Sequence, residues 1–270
     1  MIVRDLMTAD PAVIRPEATL DEALDLMEEL DVRHLPVMSD GALLGVVSDR
    51  DLLATAGALA FRPGKESEAA TLADRLGAEL TTVSSDDSVV TAAVDLVLGR
   101  IGCLPVVDDG RLVGILTEFD LARAYSDACR CSPELSDLDP RVEAEMSANP
   151  VTIAPDETLA TAAQRLEELG VRHLPVVDDG ALVGILSDRD LRKAAARDLA
   201  ETRAVSAAMT KRPLTVDRDR KLSVATILMH EAKISSLPVV ENGRLVGILT
   251  LTDLLDHCMN ALREPDAPRR

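Results

Sequence analysis

Aromatic side chains are nearly missing from this sequence: two Phe, one Tyr and no Trp among 270 residues. A core must therefore come from Leu, Val, Ile, Ala and Met, and little is left to stack nucleic-acid bases. Positive charge is also short, with 29 Lys and Arg against 47 Asp and Glu, a net charge of −18. Such a chain repels a polyphosphate backbone, so binding to DNA is not expected. The four cysteines, Cys103, Cys129, Cys131 and Cys258, make no disulfide framework at this length. Cys129 and Cys131 are also too close in sequence for an unstrained bridge in regular structure. The longest weakly polar stretch, Leu52 to Phe61, is about half the ~20 residues a bilayer span requires. Met1-Ile-Val-Arg-Asp-Leu-Met-Thr8 has no basic region leading into an apolar one, so no secretory signal is visible. A reduced, cytoplasmic protein without a membrane partner is expected.

Catalytic signatures are missing too. There is no Gly-rich phosphate loop ending in Lys-Ser/Thr, no Gly-x-Ser-x-Gly elbow and no His-Glu-x-x-His; His230-Glu231 lacks the second His. Cys129-x-Cys131 and His257-Cys258 stand apart in sequence and do not make a metal set. Cys103 is expected to be a small buried residue rather than a nucleophile. No enzyme activity and no required cofactor are expected.

What the sequence does have is repetition. Leu-Pro-Val recurs at Leu35, Leu104, Leu174 and Leu237, spaced 69, 70 and 63 residues apart. Nine residues after each Pro lies a Gly, namely Gly45, Gly114, Gly184 and Gly247. Each opens a similar run: Gly45-Val-Val-Ser-Asp-Arg-Asp51, Gly114-Ile-Leu-Thr-Glu-Phe-Asp120, Gly184-Ile-Leu-Ser-Asp-Arg-Asp190 and Gly247-Ile-Leu-Thr-Leu-Thr-Asp253. The unit reads as a short strand (Ala12 to Arg15, Val151 to Ala154, Leu214 to Asp217), a helix, two strands and a second helix. In the first copy Leu20, Ala23, Leu24, Met27 and Leu30 make an amphipathic helical stripe. Thr19 with Glu22 three residues on is a capping box that starts it. Asp40-Gly41, Asp109-Gly110, Asp179-Gly180 and Asn242-Gly243 are hairpin turns. The second helix begins after the Ser or Thr that ends the last strand. The fold class is α/β (α+β), four β-α-β-β-α repeats of about 55–60 residues, each too small to bury much core alone.

The first and third copies share Val-Arg-His-Leu-Pro-Val and Ser-Asp-Arg-Asp-Leu; the second and fourth share Gly-Arg-Leu-Val-Gly-Ile-Leu-Thr. A pair has been duplicated. The copies are placed at 1–58, 70–130, 139–200 and 203–262, and the pairs at 1–130 and 139–262. The polar stretch Cys131 to Pro140 reads as the linker between pairs, and Arg62 to Ser67 as the break within the first.

These residues resemble the cystathionine-β-synthase (CBS) domain. Its marks also include a preceding Met-Ser/Thr-x-x-Pro, present as Met7 to Pro11, Met146 to Pro150 and Met209 to Pro213. The second copy departs, with Leu76-Gly-Ala-Glu-Leu80. The resemblance covers nearly the whole chain and implies two pseudo-twofold CBS pairs (Bateman modules), as in nucleotide-sensing subunits such as the γ subunit of AMP-activated kinase. It implies that the Asp of each Ser/Thr-x-x-Asp run accepts from ribose hydroxyls while the hydroxyl and the helix start hold phosphate. The matching positions are Ser48 and Asp51, Thr117 and Asp120, Ser187 and Asp190, Thr250 and Asp253. A carboxylate suits a cis-diol and a helix start suits an anion. The same spacing is close to a capping box, which stabilises a helix by ~1 kcal/mol without any ligand. Thr152, Thr215 and Thr82 match a first-strand Thr near the nucleotide in the family; the first copy has Val13 there, and Thr is also simply a good strand residue. Arg33-His34 and Arg172-His173, with Gly102-Cys103 and Ser235-Ser236 in the other copies, match positions that face the cleft and contact phosphate. Arg50 and Arg189 are a second basic source, or exposed partners of neighbouring acids.

The resemblance implies a regulatory ligand-binding protein for AMP, ADP, ATP or S-adenosylmethionine. It further implies a homodimer or an internal disc of two pairs, with the output on another polypeptide. The alternative is a ligand-free oligomerisation scaffold. With one Tyr and no Trp the purified protein absorbs weakly near 280 nm. A co-purified adenosine ligand is expected to shift the absorbance maximum to about 260 nm, and a flat spectrum after native purification favours the scaffold.

Overall fold

The computed structural model describes residues 1–49, 51–52, 71–76, 80–99, 101–196 and 202–262. The expected break at Arg62 to Ser67 and the stretch from Ala54 to Phe61 lie outside them. The chain divides into two compact units. One comprises Met1–Ala92, Ile101–Thr117 and Arg192–Leu199; the other comprises Ala93–Arg100, Glu118–Leu191 and Ala200–Arg270.

The recurring element is a bulged antiparallel hairpin. Four are present: β2 (His34–Ser39) with β3 (Ala42–Ser48), β4 (Cys103–Asp108) with β5 (Arg111–Thr117), β7 (His173–Asp178) with β8 (Ala181–Ser187), and β11 (Ser236–Glu241) with β12 (Arg244–Thr250). Each turn has positive φ at both central residues, for example Asp40 at 48° and Gly41 at 80°. That is the primed geometry whose twist matches the strands, and it is why Asp-Gly or Asn-Gly recurs there. Leu35, Leu104, Leu174 and Leu237 of the Leu-Pro-Val strands are fully buried.

The expected first strands are shorter than the sequence suggested. Ile14, Val83 and Ile153 each make a single parallel bridge, to Val37, Val106 and Val176, and only Val216–Asp217 (β10) forms a two-residue strand on β11. The described helices are α1 (Leu20–Glu29), α2 (Val89–Gly99), α3 (Glu118–Cys131), α4 (Pro133–Leu138), α5 (Val142–Glu145), α6 (Leu159–Leu169), α7 (Asp188–Ala196), α8 (Leu222–Glu231) and α9 (Leu251–Leu262); α4 and α5 were not expected, and most of the second helix expected in the first copy lies outside the described residues. Thr19 and Glu22 form the expected reciprocal box, with Glu22 N–H to Thr19 Oγ1 at 3.2 Å and Thr19 N–H to Glu22 Oε2 at 2.9 Å. Leu20, Ala23 and Met27 are buried on α1, but Leu30 is 43% exposed. Leu30 is the C-cap residue, where the stripe has already run off the core face.

Each repeat sends its leading segment to a neighbouring repeat, a feature the repeat pattern did not reveal. β1 (Thr8–Ala9), from the first copy, pairs with β5 of the second; β6 (Ser147–Ala148) of the third pairs with β12 of the fourth; β9 (Thr210–Lys211) of the fourth pairs with β8 of the third. The preceding turn docks likewise. Val3 N–H donates to Asp87 O, Leu72 N–H to Ala18 O, Val142 N–H to Arg220 O and Val205 N–H to Glu157 O, at 2.8–3.1 Å. All four apolar side chains are 0% exposed. Leu72 completes the core of Ile14, Leu20, Met27, Leu35 and Val47; Val205 completes that of Ile153, Leu166, Leu174 and Leu186; Val142 joins that of Leu222, Met229, Leu237 and Leu249. Four buried aliphatic groups at ~1.5–3 kcal/mol each are a large fraction of a domain's net stability.

The recurrent Gly makes this exchange possible. A Cβ on Gly114 would lie 2.5 Å from Met7 Sδ, and one on Gly184 2.5 Å from Met209 Sδ. Met146 makes the same approach to Gly247. The departure in the second copy is explained by the same contact, because Leu76 takes the methionine's place and its Cδ2 would lie 2.7 Å from a Cβ on Gly45.

The segment read as a linker is folded. Cys131 ends α3, α4 follows, and Asp139 is only 5% exposed. Its carboxylate accepts from Tyr125 Oη at 2.9 Å, Ser223 N–H at 3.1 Å and Ser223 Oγ at 2.7 Å, while Lys221 Nζ donates to its carbonyl at 2.6 Å. Asp139 thus belongs to a satisfied buried network, while Ser136 and Asp137 are exposed. Burial beside Asp139 pushes the Tyr125 phenol well above its ordinary pKa.

Candidate functional site

The Ser/Thr-x-x-Asp runs sit where the second hairpin strand ends and a helix begins. Three are built alike. Asp51 Oδ2 accepts from Ser48 N–H at 3.2 Å and Ser48 Oγ at 2.6 Å; Asp190 Oδ2 accepts from Ser187 at 2.8 and 2.6 Å; Asp253 Oδ2 accepts from Thr250 at 2.7 and 2.7 Å. In return each Asp N–H donates to the hydroxyl, at 3.2, 3.2 and 3.4 Å. The bland alternative is thus realised: these are reciprocal helix caps. The cap consumes Oδ2 and the hydroxyl proton, and it leaves Oδ1 outside the cap. Thr117 closes β5 and Asp120 is the third residue of α3, the matching place in the second copy.

A further backbone tie fixes each helix start against the residue just ahead of the Leu-Pro-Val strand. Asp49 N–H donates to Arg33 O at 2.9 Å, Asp188 N–H to Arg172 O at 3.0 Å and Leu251 N–H to Ser235 O at 3.0 Å. Arg33, Arg172 and Ser235 therefore stand beside their own repeat's Ser/Thr-x-x-Asp run.

The Arg-His positions meet the other repeat of their pair. The His173 Nε2 lies 3.3 Å from Ser235 Oγ, and Arg172 Nη2 donates to Thr252 Oγ1 at 3.2 Å. Arg172 is thereby held one residue from Asp253. In the other unit His34 meets Gly102, where a Cβ would lie 2.7 Å from His34 Nε2. A larger residue opposite that ring would force the imidazole to shift. Although the residue is partly exposed, its imidazole is withdrawn from water, which lowers its pKa from 6.5 to about 4 against the opposing pull of Asp49. His34 is neutral at physiological pH and supplies no charge for an anion. Arg33 and Arg189 are half-buried, and Arg50 lies outside the described residues.

Thr82, Thr152 and Thr215 each precede the buried residue that bridges to the Leu-Pro-Val strand, Val83, Ile153 and Val216. Successive side chains alternate in extended chain, so these Thr point away from the core. Thr152 and Thr215 are half-buried and Thr82 is exposed. Val13, the equivalent in the first copy, is 46% exposed.

The fourth copy is electrostatically distinct. Asp253 is drawn upward in pKa by burial and by repulsion from Asp256 and Glu145, against the hydrogen bonds from Thr250. Glu145 in turn lies 3.0 Å from His257 Nδ1, whose ring meets Tyr125 edge-on at 5.7 Å. This acidic surround was not legible from spacing, because Glu145 comes from the exchanged segment of the third copy. Cys103 and Cys129 are buried as small apolar residues, and burial pushes Cys258 up to about 12. Among the described residues no group of His, Cys, Asp and Glu could hold a metal ion, and no helix is long and apolar enough to cross a membrane.

The CBS domain family model matches residues 3–56, 76–127, 138–197 and 205–260. The chain belongs to the CBS-domain family, with four such domains, as its motifs implied. Inosine-5'-monophosphate dehydrogenase of Mycobacterium bovis is 39% identical over 133 residues, which are 48% of this chain and 24% of that enzyme. The enzyme of Mycobacterium leprae is 30% identical over 259 residues, 90% of this chain and 45% of that one. The chain therefore spans less than half the length of these curated relatives. The crystal structure of protein MJ1225 from Methanocaldococcus jannaschii covers 96% of this chain and 100% of its own, at 22% identity and a TM-score of 0.78. It shows the shared mixed α/β fold.

The buried neutral His34 gives a pH dependence with a definite sign. The unfolded chain binds a proton at His34 below about pH 6.5, and the folded chain does so only near 4. Stability is expected to fall as pH drops through that window, by on the order of 3 kcal/mol from this residue. Urea unfolding between pH 7 and 4 checks it: the slope should shrink in His34→Gln, and an unchanged slope contradicts the assignment.

Proposed function

We propose that the protein is a regulatory sensor that binds an adenosine ligand, AMP, ADP, ATP or S-adenosylmethionine, where paired CBS repeats meet. The observation that carries the proposal is the repeated cap of Ser187–Asp190 and Thr250–Asp253, in which Oδ2 of the carboxylate makes the cap and Oδ1 does not; Ser48 and Asp51 are capped in the same way. A carboxylate oxygen accepts two donors, so Oδ1 can take both hydroxyls of a ribose while the cap holds the group in place. Thr152 and Thr215 stand on the segments that lead into the same repeats. Arg172, held at Thr252 beside Asp253, provides local positive charge for an anionic tail in a strongly acidic protein. The matching candidates in the other copies are Asp120 with Thr117, Thr82, Arg33, Arg50 and Arg189. His173 at Ser235 orients the contact between repeats, and His34 does the same opposite Gly102.

The ligand changes the protein only through contacts that differ between two arrangements of a pair. The exchanged leading segments give it that leverage, because a shift at one repeat moves a strand of the other. The output is read by a partner protein or by a change in assembly, whether a homodimer or an internal disc, in a cytoplasmic setting.

A second account, a ligand-free scaffold, is favoured by the same caps, since each is already satisfied within the chain. Thermal unfolding with AMP, ADP, ATP and S-adenosylmethionine separates the two. A ligand at about a hundred times its Kd adds ~2.7 kcal/mol, a rise of about 5–10 °C in Tm. Asp190→Ala with Asp253→Ala costs about 1 kcal/mol each as lost caps under either account. Under the proposal the ligand-induced rise attributable to the second pair also disappears. A rise of unchanged size after both substitutions refutes the carboxylate–ribose assignment, and no rise with any of the four ligands supports the scaffold.

A further inference from the structure

Three of the four exchanged segments are fastened by a methionine. Met7 Sδ sits against Gly114, Met209 Sδ against Gly184 and Met146 against Gly247, each thioether so close that a Cβ on the glycine would clash with it. Behind each lies the backbone of the same segment, with Thr8 O 3.1 Å, Thr210 O 3.1 Å and Ser147 O 3.2 Å from the hypothetical Cβ. The thioether is packed closely against the glycine, so an oxygen added on that side requires the methionine to shift. All three residues are half-buried, whereas Met27 and Met229 are 3% and 0% exposed, so the three are the more open to small oxidants. The fourth segment uses Leu76 against Gly45, which has no sulfur to oxidise. The second pair is therefore fastened by two methionines and the first by one methionine and one leucine.

We propose that Met7, Met146 and Met209 are oxidation sites that loosen the exchanged segments, the second pair more than the first. A thioether lone pair attacks a peroxide oxygen, the O–O bond breaks, an S–O bond forms and water leaves. Sulfur loses two electrons and the peroxide gains them. The product is a polar, pyramidal sulfoxide in a seat shaped for a flat apolar contact, and its oxygen needs a donor that the glycine face does not offer. Pulling the sulfur out of its seat frees the adjoining strand pairs Thr8–Ala9, Ser147–Ala148 and Thr210–Lys211. Reduction of the sulfoxide restores the clasp. The proposal is independent of any nucleotide ligand.

The test treats the full chain with hydrogen peroxide, removes reversible thiol products with dithiothreitol, and maps added oxygen by peptide mass. Met7, Met146 and Met209 are expected to be oxidised before Met27 and Met229, with a fall in Tm of about 5 °C or more that methionine sulfoxide reductase reverses. A variant with Met7→Leu, Met146→Leu and Met209→Leu, the residue the chain itself uses at Leu76, should lose that fall. Should this triple variant fail to fold, Met209→Leu alone tests one clasp, read as hydrogen exchange at Thr210–Lys211 with and without peroxide. Oxidation of the three sites without loss of stability overturns the proposal, and so does an equal loss in the leucine variants.

Discussion

The structure depends on an exchange: the segment that opens each repeat is folded into a neighbouring one. A unit of about 55–60 residues has too much surface for its volume to hold together alone. Here Val3, Leu72, Val142 and Val205 are each wholly buried through docking that their own hairpins do not provide. Removing such a side chain leaves a cavity in a core that belongs to another stretch of sequence. The repeats are consequently not beads on a string: the core of the fourth takes Val142 from the third and also Ala122 from the helix that closes the second.

That constraint also places the candidate site. Each hairpin carries its Ser/Thr-x-x-Asp run to the start of a helix, and a backbone bond ties that start to the residue ahead of the Leu-Pro-Val strand. Because His173 meets Ser235 and Arg172 meets Thr252, one repeat's basic residues arrive at the other's helix start. The two pairs differ in what they meet. His34 packs against Gly102 and stays neutral, whereas His173 faces the Ser235 hydroxyl and Arg172 donates to Thr252, next to Asp253.

Much of the architecture was legible because it is local. Asp-Gly and Asn-Gly turns demand positive φ, the Thr19–Glu22 box is a four-residue pattern, and short apolar strands on either side of each turn mark the hairpins. The family marks were equally local, and the caps appeared where Ser or Thr stands three residues before Asp. What the sequence hid was long-range. Nothing at Met146 announces that it will face Gly247, and Glu145 joins the surround of Asp253 only after the exchange. The polar run from Cys131 to Pro140 looked like a tether because composition does not reveal that Asp139 finds Tyr125 and Ser223. The Leu76 departure looked like decay of a motif, yet it conserves an apolar contact on Gly45.

Native-state hydrogen exchange of the second pair addresses the exchange of segments most directly. The amides of Val142 and Val205, bonded to Arg220 O and Glu157 O, should open with the same free energy as the central amides of the β7–β8 and β11–β12 hairpins. Exchange of Val142 and Val205 through cheap local opening, while both hairpins stay protected, would contradict the account.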